Sequence, residues 1–539
     1  MQHPFSFPPA RPTQWAGLLL LGGLLASGCQ SGTTTKTEEK TTPALTTARD
    51  STARTSPARP AGGFFVRHNA ASPEGQADLA ALQKAMALMK NMPCDNPLSW
   101  YYQGAIHNVP SYSQASPLCA PFGKDKPFAW DGCTHGSGEH HFLVWHRLFT
   151  WHLERIVRKL SGKADFALPY WDYITPATRI MPAAFRNAGA SRDSLSNVER
   201  SAWLNQGKAI GPWMNPVLNT TTLFQNRLFT TFNTELDQGL HGAMHDYIGS
   251  GTSTGIDNTP RWNRIYQRKV ANGMMGNVPS AGFDPVFWVH HANIDLLWTQ
   301  WAQSPQGQRP NLDSLKADNW NHYNFIDENG KHVSYSVDSA YALAMHPDYR
   351  YDRLPAPPAA KAKEDVVLLA QGRPNQSTPP VTLATTRVGK SVVTTTSFTA
   401  RLAVPAPKAG LLKSATPQPG ANARPQRLLL RVEASLSQEP SGFYALYVRR
   451  QGGTGPLATQ QHLAGVLNFF GATHHHDGPG MEGMVMPKAS RFTRTFVFDI
   501  TDEVDAASFG QALDVQVVPA GTNGVPITIE QLTLVTQAI

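Results

Sequence analysis

No basic stripe runs through this chain: the formal net charge is +8, yet the Lys and Arg excess is spread over loop segments, without a basic helix or an aromatic-basic strand pattern. Nucleic acid is set aside as a partner on that ground, since holding a phosphate backbone takes clustered cations. Long apolar runs are missing as well. The one candidate, Trp15 to Leu25, is too short to cross a bilayer as a mature helix. No internal repeat is visible, and cysteine is scarce, with four residues in 539. Composition is otherwise globular, 41% hydrophobic and 16% charged. A chain of this length exceeds one ordinary core, so two folded domains with a tail or linker are expected.

Residues 1–29 carry Arg11, the apolar run and then Ala26-Ser27-Gly28-Cys29, the layout of an export signal. The small residues ending in cysteine resemble the lipobox of bacterial lipoproteins, where Cys29 would become the lipid-bearing first residue; the alternative is an ordinary signal peptide with an incidental cysteine. Residues 30–63, rich in Ser, Thr, Lys and Glu, cannot bury a core and suit a disordered tether. The expectation is an exported, membrane-anchored lipoprotein, periplasmic or at the cell surface, with no obligate protein partner. Export puts Cys94, Cys119 and Cys133 in an oxidising compartment, where a Cys94–Cys119 disulfide is expected and Cys133 is left over.

From 64 to 354 the chain is rich in Trp, His and helix-like periodicity, as at Leu79, Leu82, Met86 and Met89. Residues 355–390, with many Pro, Ala, Gly and Ser, read as a linker interrupted by one possible strand at Val366 to Leu369. From 391 to 539 the period changes to two: Phe492/Phe496/Phe498/Ile500, Leu513/Val515/Val517 and Ile527/Ile529 alternate with polar residues between turns. That alternation predicts an antiparallel β-sandwich after a mainly α domain.

The histidines carry the chemistry. His241 and His245 are four apart, so on a helix they project from one face and converge on one ion. In the stretch Val286 to Asp295, His291 has Asp295 one turn later, where a carboxylate can accept the second ring N–H of a ligand. His290 reads as a satisfied core histidine. Upstream, His107 ends the aromatic helix Trp100 to His107, His146 opens another helix at Phe142, and His135 follows Cys133 by two. A nitrogen-only set suits copper and is compatible with zinc.

The segments Trp145-His146-Arg147, Leu168-Pro169-Tyr170-Trp171-Asp172-Tyr173 and Asp284-Pro285-Val286-Phe287-Trp288-Val289-His290-His291-Ala292-Asn293-Ile294-Asp295 resemble the tyrosinase and catechol oxidase family of type 3 copper proteins, in the family's order from Trp100 to Trp301. The resemblance implies a four-helix core holding two copper ions, one by His107, His135 and His146 and the other by His241, His245 and His291. The family commonly separates its second and third ligands by nine residues, whereas His135 and His146 are eleven apart, so His140 and His141 are rivals for the loop position. Similar Cys-x-His loops in the family carry a thioether, which would join Cys133 to His135; the alternative is a free buried thiol.

The resemblance further implies dioxygen-dependent oxidation of o-diphenols to o-quinones. Family members that hydroxylate monophenols place Asn just after the first ligand of the second site and Glu a few residues before it. Gly242 and Asp237 stand there, so monophenol hydroxylation is expected to be weak or absent. Asp237 has a second reading as a solvated helix carboxylate. Full tyrosinase activity, another specialised phenol oxidation, or haemocyanin-like dioxygen binding are the alternatives. Residues shaping the substrate entrance are expected between Met274 and Gly282. The C-terminal domain faintly resembles the shielding domain of plant polyphenol oxidases through Leu463-Ala464-Gly465 and its Val-rich strands, which implies latency. His474-His475-His476 with Met481, Met484 and Met486 reads either as a copper-loading site or as a polar loop with mobile methionines.

Overall fold

Helix starts in the first region follow local chemistry. The computed structural model describes residues 63–354 and 380–538, apart from 110–118, 120–126, 128, 131, 135–138, 187–194, 306, 319, 394, 406–425, 473–490, 502–511 and 523. The Cys29 segment, the strand expected at Val366 to Leu369, His135, and His474 to His476 with their methionines therefore lie outside the described residues. Helix α1 (Pro73–Asn91) begins with Ser72 accepting from the Gly75 amide and Pro73 in its first turn. Leu79, Leu82, Met86 and Met89, the periodic residues of the sequence, are its buried face. Helix α2 (Trp100–His107) is capped by Ser99, and α3 (Phe142–Ser161) stops at Gly162, whose φ of 76° is the left-handed conformation glycine adopts without strain. Helices α4 (Phe229–Glu235) and α5 (Gly242–Ser250) are joined by a π-helical stretch, Leu236–His241. Helix α6 (Pro285–Ala302) starts at Asp284, which accepts from the Val286 amide. Helices α1 and α6 both pack on α3. Strand β1 (Phe65–Arg67) pairs in parallel with β2 (Tyr349–Tyr351), bringing the two ends of the helical region together.

The second region is sheet, and it begins earlier than 391: β3 (Val381–Val393) lies mostly in the stretch read as linker. Its β-branched Val and Thr residues suit a strand, and only the residues before it have linker composition. With β4 (Phe398–Ala403), β5 (Gln426–Leu436), β6 (Phe443–Arg450), β7 (Leu463–Leu467), β8 (Phe492–Asp499), β9 (Ala512–Ala520) and β10 (Ile527–Ala538), it builds two four-stranded antiparallel sheets. Their orders are β7-β6-β9-β4 and β8-β5-β10-β3. The residues expected to point inward, Phe496, Phe498, Leu513, Val515, Val517, Ile527 and Ile529, are buried in one cluster drawn from both sheets. A separate cluster fills the helical region and also takes in Phe443, Ala445, Leu463 and Val466, so β6 and β7 pack on the helices. Among the described residues no helix is long and apolar enough to cross a membrane.

Candidate metal centre

Five elements carry histidines to the middle of the helical region. His107 ends α2, His146 lies in the first turns of α3, His241 and His245 flank the junction of the π-helical stretch with α5, and His291 lies in α6. All five are buried. Among the described residues two groups of donor atoms form, each with its members within 4.8 Å of one another: His241, His245, His290 and His291 in one, His107, Cys133 and His146 in the other. The groups adjoin, for the His146 and His291 rings stack at 4.4 Å and 7°. The sequence reading missed one member. His290 does satisfy its Nδ1 with the Tyr173 hydroxyl at 2.9 Å, as a core histidine would, yet its Nε2 is buried without a hydrogen-bond partner and the residue falls in the first group.

The rivals for the loop position are engaged elsewhere. His141 places Nδ1 at 2.8 Å from the Tyr323 hydroxyl and Nε2 at 3.0 Å from the Leu315 carbonyl, so neither nitrogen is left for an ion. His140 is partly exposed and pairs with Asp318 at 2.9 Å. Cys133 is buried with Sγ 3.7 Å from His146 Nε2, which puts the residues just before His135 at this centre.

Main-chain carbonyls orient the rings. His146 Nδ1 donates to Phe142 O and His245 Nδ1 to Met275 O, both at 2.8 Å; His241 Nδ1 lies 3.3 Å from Asp237 O and 3.1 Å from its carboxylate. Fixing Nδ1 as donor leaves Nε2 as the lone-pair nitrogen. Burial lowers His146, His245 and His291 well below the ordinary imidazole range and His241 to about 3, so the rings are neutral at neutral pH. His245 Nε2 and both nitrogens of His291 are buried without a hydrogen-bond partner. Buried polar atoms are rarely left so, and neutral imidazoles with inward lone pairs and no carboxylate donor fit a copper ion.

Asp295 does not serve His291, contrary to the sequence expectation. Its carboxylate takes Arg147 Nε at 2.5 Å, Arg67 Nη1 at 2.9 Å and the hydroxyls of Tyr349 and Tyr351, each at 2.6 Å. Two guanidinium groups outbid a neutral ring for one carboxylate. Asp237 is not the solvated carboxylate of the second reading: it is 4% exposed, and burial pushes it up to about 7 against the pull of Arg494. The π-helical stretch that places it beside His241 reads as ordinary helix in the sequence, with Gly239 as the only hint. Met275, in the segment expected to shape the entrance, is buried and holds His245.

The C-terminal region reaches this centre. Phe470 stacks on His245 at 4.3 Å and 19° and stands edge-on to His241 at 5.9 Å. Asn468, fully buried, donates its side-chain amide to Asp246 at 3.0 Å and to Gly442 O at 2.6 Å. Neither residue was singled out from the sequence. The available signal was the apolar tract Val466 to Phe470, interrupted by one Asn.

Residues 97–219 and 190–304 match the model of the common central domain of tyrosinase. Tyrosinase HcTyr1 of Hahella sp. is 30% identical over 285 residues, covering 48% of this chain and 57% of the relative. Polyphenol oxidase II, chloroplastic, of Ipomoea batatas is 29% identical over 279 residues, covering 49% and 45%. The chain thus spans about half the length of the curated relatives it matches. Among solved structures, a latent aurone synthase (polyphenol oxidase) superposes with a TM-score of 0.58 at 18% identity, over 89% of this chain and 91% of the other. Latent apple tyrosinase does so at 0.51 and 18%, over 90% and 99%. At that identity the two likenesses concern the fold, and they extend over both the helical and the sheet regions.

Proposed function

Because this chain belongs to the tyrosinase and polyphenol oxidase family of type 3 copper proteins, we propose that it is a dicopper oxidase that uses dioxygen to convert o-diphenols to o-quinones, with weak monophenol hydroxylation. The observation that carries this reading is the pair of adjoining buried groups of neutral imidazoles, met where His146 stacks on His291. His107, His135 and His146 would hold one copper, and His241, His245 and His291 the other. A copper pair held there would relay to dioxygen the two electrons that each o-diphenol gives up on becoming a quinone. The protein's own residues do the rest: carbonyls of Phe142 and Met275 fix ring orientation, while Phe142 and Phe287, each within 5 Å of two ligand rings, keep water out. The Asp237 carboxylate lies beside His241, and Gly242 offers no side-chain acceptor for a phenolic proton, which favours catechols.

In finer detail the reading includes a four-helix bundle around the coppers, a helical domain at 64–354 and a sheet domain that starts with the strand Val381–Val393, and a β-sandwich supported by the single cluster shared by two sheets. Phe470 over His245 supports a lid that keeps the full chain latent. Cys133 and His135 would be joined by a thioether, read out as an intact mass two hydrogens short after reduction, and Cys29 would carry the lipid anchor.

Copper analysis with catechol and monophenol assays tests this on the full chain and on a chain ended after Arg353. About two coppers per chain, catechol turnover well above monophenol turnover, and a gain on truncation are expected. Equal turnover of both phenols without a lag refutes the catechol preference. Unchanged activity in a soluble, copper-loaded truncation refutes the lid.

A further inference from the structure

The helix that carries His241 and His245 has two glycines on the face turned to the C-terminal region. A Cβ placed at Gly239 would lie 3.1 Å from Val466 Cγ2, and one at Gly242 would lie 2.1 Å from Asn468 Oδ1 and 3.0 Å from Phe470 Cβ. The opposing residues are Val466, Asn468 and Phe470. Val466 belongs to β7, and Asn468 and Phe470 follow where the chain leaves the strand and turns, while the glycines lie about one helical turn apart. The end of β7 and the turn after it are seated on a bare strip of helix.

The contact at Gly242 is stiff. Asn468 Oδ1 accepts from the Phe470 amide at 2.9 Å, its Nδ2 is held by Asp246 and by Gly442 O, and its main-chain N–H donates to Gln238 O at 2.9 Å. Gly442 N itself donates to Asp246 at 3.2 Å. The Asn468 side chain cannot swing aside without breaking three hydrogen bonds, and Phe470 Cβ is fixed by its own backbone.

We infer that Gly239 and Gly242 form a seat shaped for residues 466–470 of this chain, so that the side chain at position 242 decides whether the C-terminal region stays docked over the metal centre. The regulatory half of this inference rests on the lid reading above; the seat itself does not. Position 242 then acts on activity through docking before it acts on the choice of phenol. Any side chain there overfills a closed contact.

Hydrogen–deuterium exchange of peptides 236–250 and 463–470 in the full-length, copper-loaded protein tests it, with copper content and catechol turnover measured on the same samples. Gly242→Ala is expected to raise exchange in both peptides about tenfold or more, a typical effect of overpacking, and to raise turnover toward that of the truncated chain. Unchanged exchange in a copper-replete Gly242→Ala protein overturns the seat. Raised exchange with unchanged turnover upholds the seat and overturns the lid. Should Gly242→Ala fail to fold or lose copper, the milder pair decides: Gly239→Ala loosens peptide 463–470, and adding Val466→Ala restores protection. Failure of Val466→Ala to restore it overturns the proposal.

Discussion

An imidazole binds metal through a neutral ring, usually aimed by its other nitrogen, and burial with a backbone carbonyl secures both conditions for His146 and His245. Neither nitrogen of His291 is hydrogen-bonded, so an ion is its natural partner. His291→Ala is expected to lower copper from about two to about one per chain and to abolish catechol turnover, since the second ion loses one of three ligands; elemental analysis and an oxygen-uptake assay check it. Glu235 gives a pH prediction. Burial pushes its carboxyl up to about 8, with the Asn226 amide pulling down and Asp499 adding to the rise. A carboxyl whose folded pKa is raised binds its proton more tightly in the folded state, so stability falls as pH rises from about 4.5 to about 8. Glu235→Gln should remove that fall, gaining on the parent by about 1.4 kcal/mol per pH unit across the window in chemical denaturation. The five buried histidines that the structure brings together were legible because they sit in long motifs at helical spacing. The partners of Asp295 were not, because Tyr349 and Tyr351 lie far along the chain and nothing local announces them.

Helices and strands were read with different success for a physical reason. Where one face is buried and the other wet, the period shows, as in α1 and in β8 to β10. Helix α6 is apolar nearly all round, and its recognition rested on motif rather than period. The π-helical stretch before α5 left no periodic mark, since one wider turn in a buried segment changes no apolar residue to polar. Strand β1, with three residues, was too short to read, yet it places Arg67 between Glu154 and Asp295 while α3 and α6 bring Arg147 to the same carboxylate. Asp295→Asn leaves two buried guanidinium groups short of charge, and a loss of about 3–5 kcal/mol is expected. Unfolding by denaturant with copper absent measures it without the ligand's contribution.

At the scale of the whole molecule, the Cys94–Cys119 bridge, 25 residues apart, formed as the cysteine count suggested. Replacing both cysteines with serine should cost about 3 kcal/mol through a freer unfolded chain, read as a lower midpoint in thermal unfolding while copper content stays near two. The docking of β7 on the helices was beyond the sequence: it joins residues more than two hundred positions apart, such as Asn468 and Asp246. The pairing of Phe65–Arg67 beside Tyr349–Tyr351 has a consequence for engineering. Two parallel strands of three residues put the entry and exit of the helical region about 8 Å apart. A segment whose ends meet in this way is a cassette. It can be grafted into a surface loop of an unrelated scaffold, or permuted by joining its ends with a short linker, without stretching any connection near the histidines.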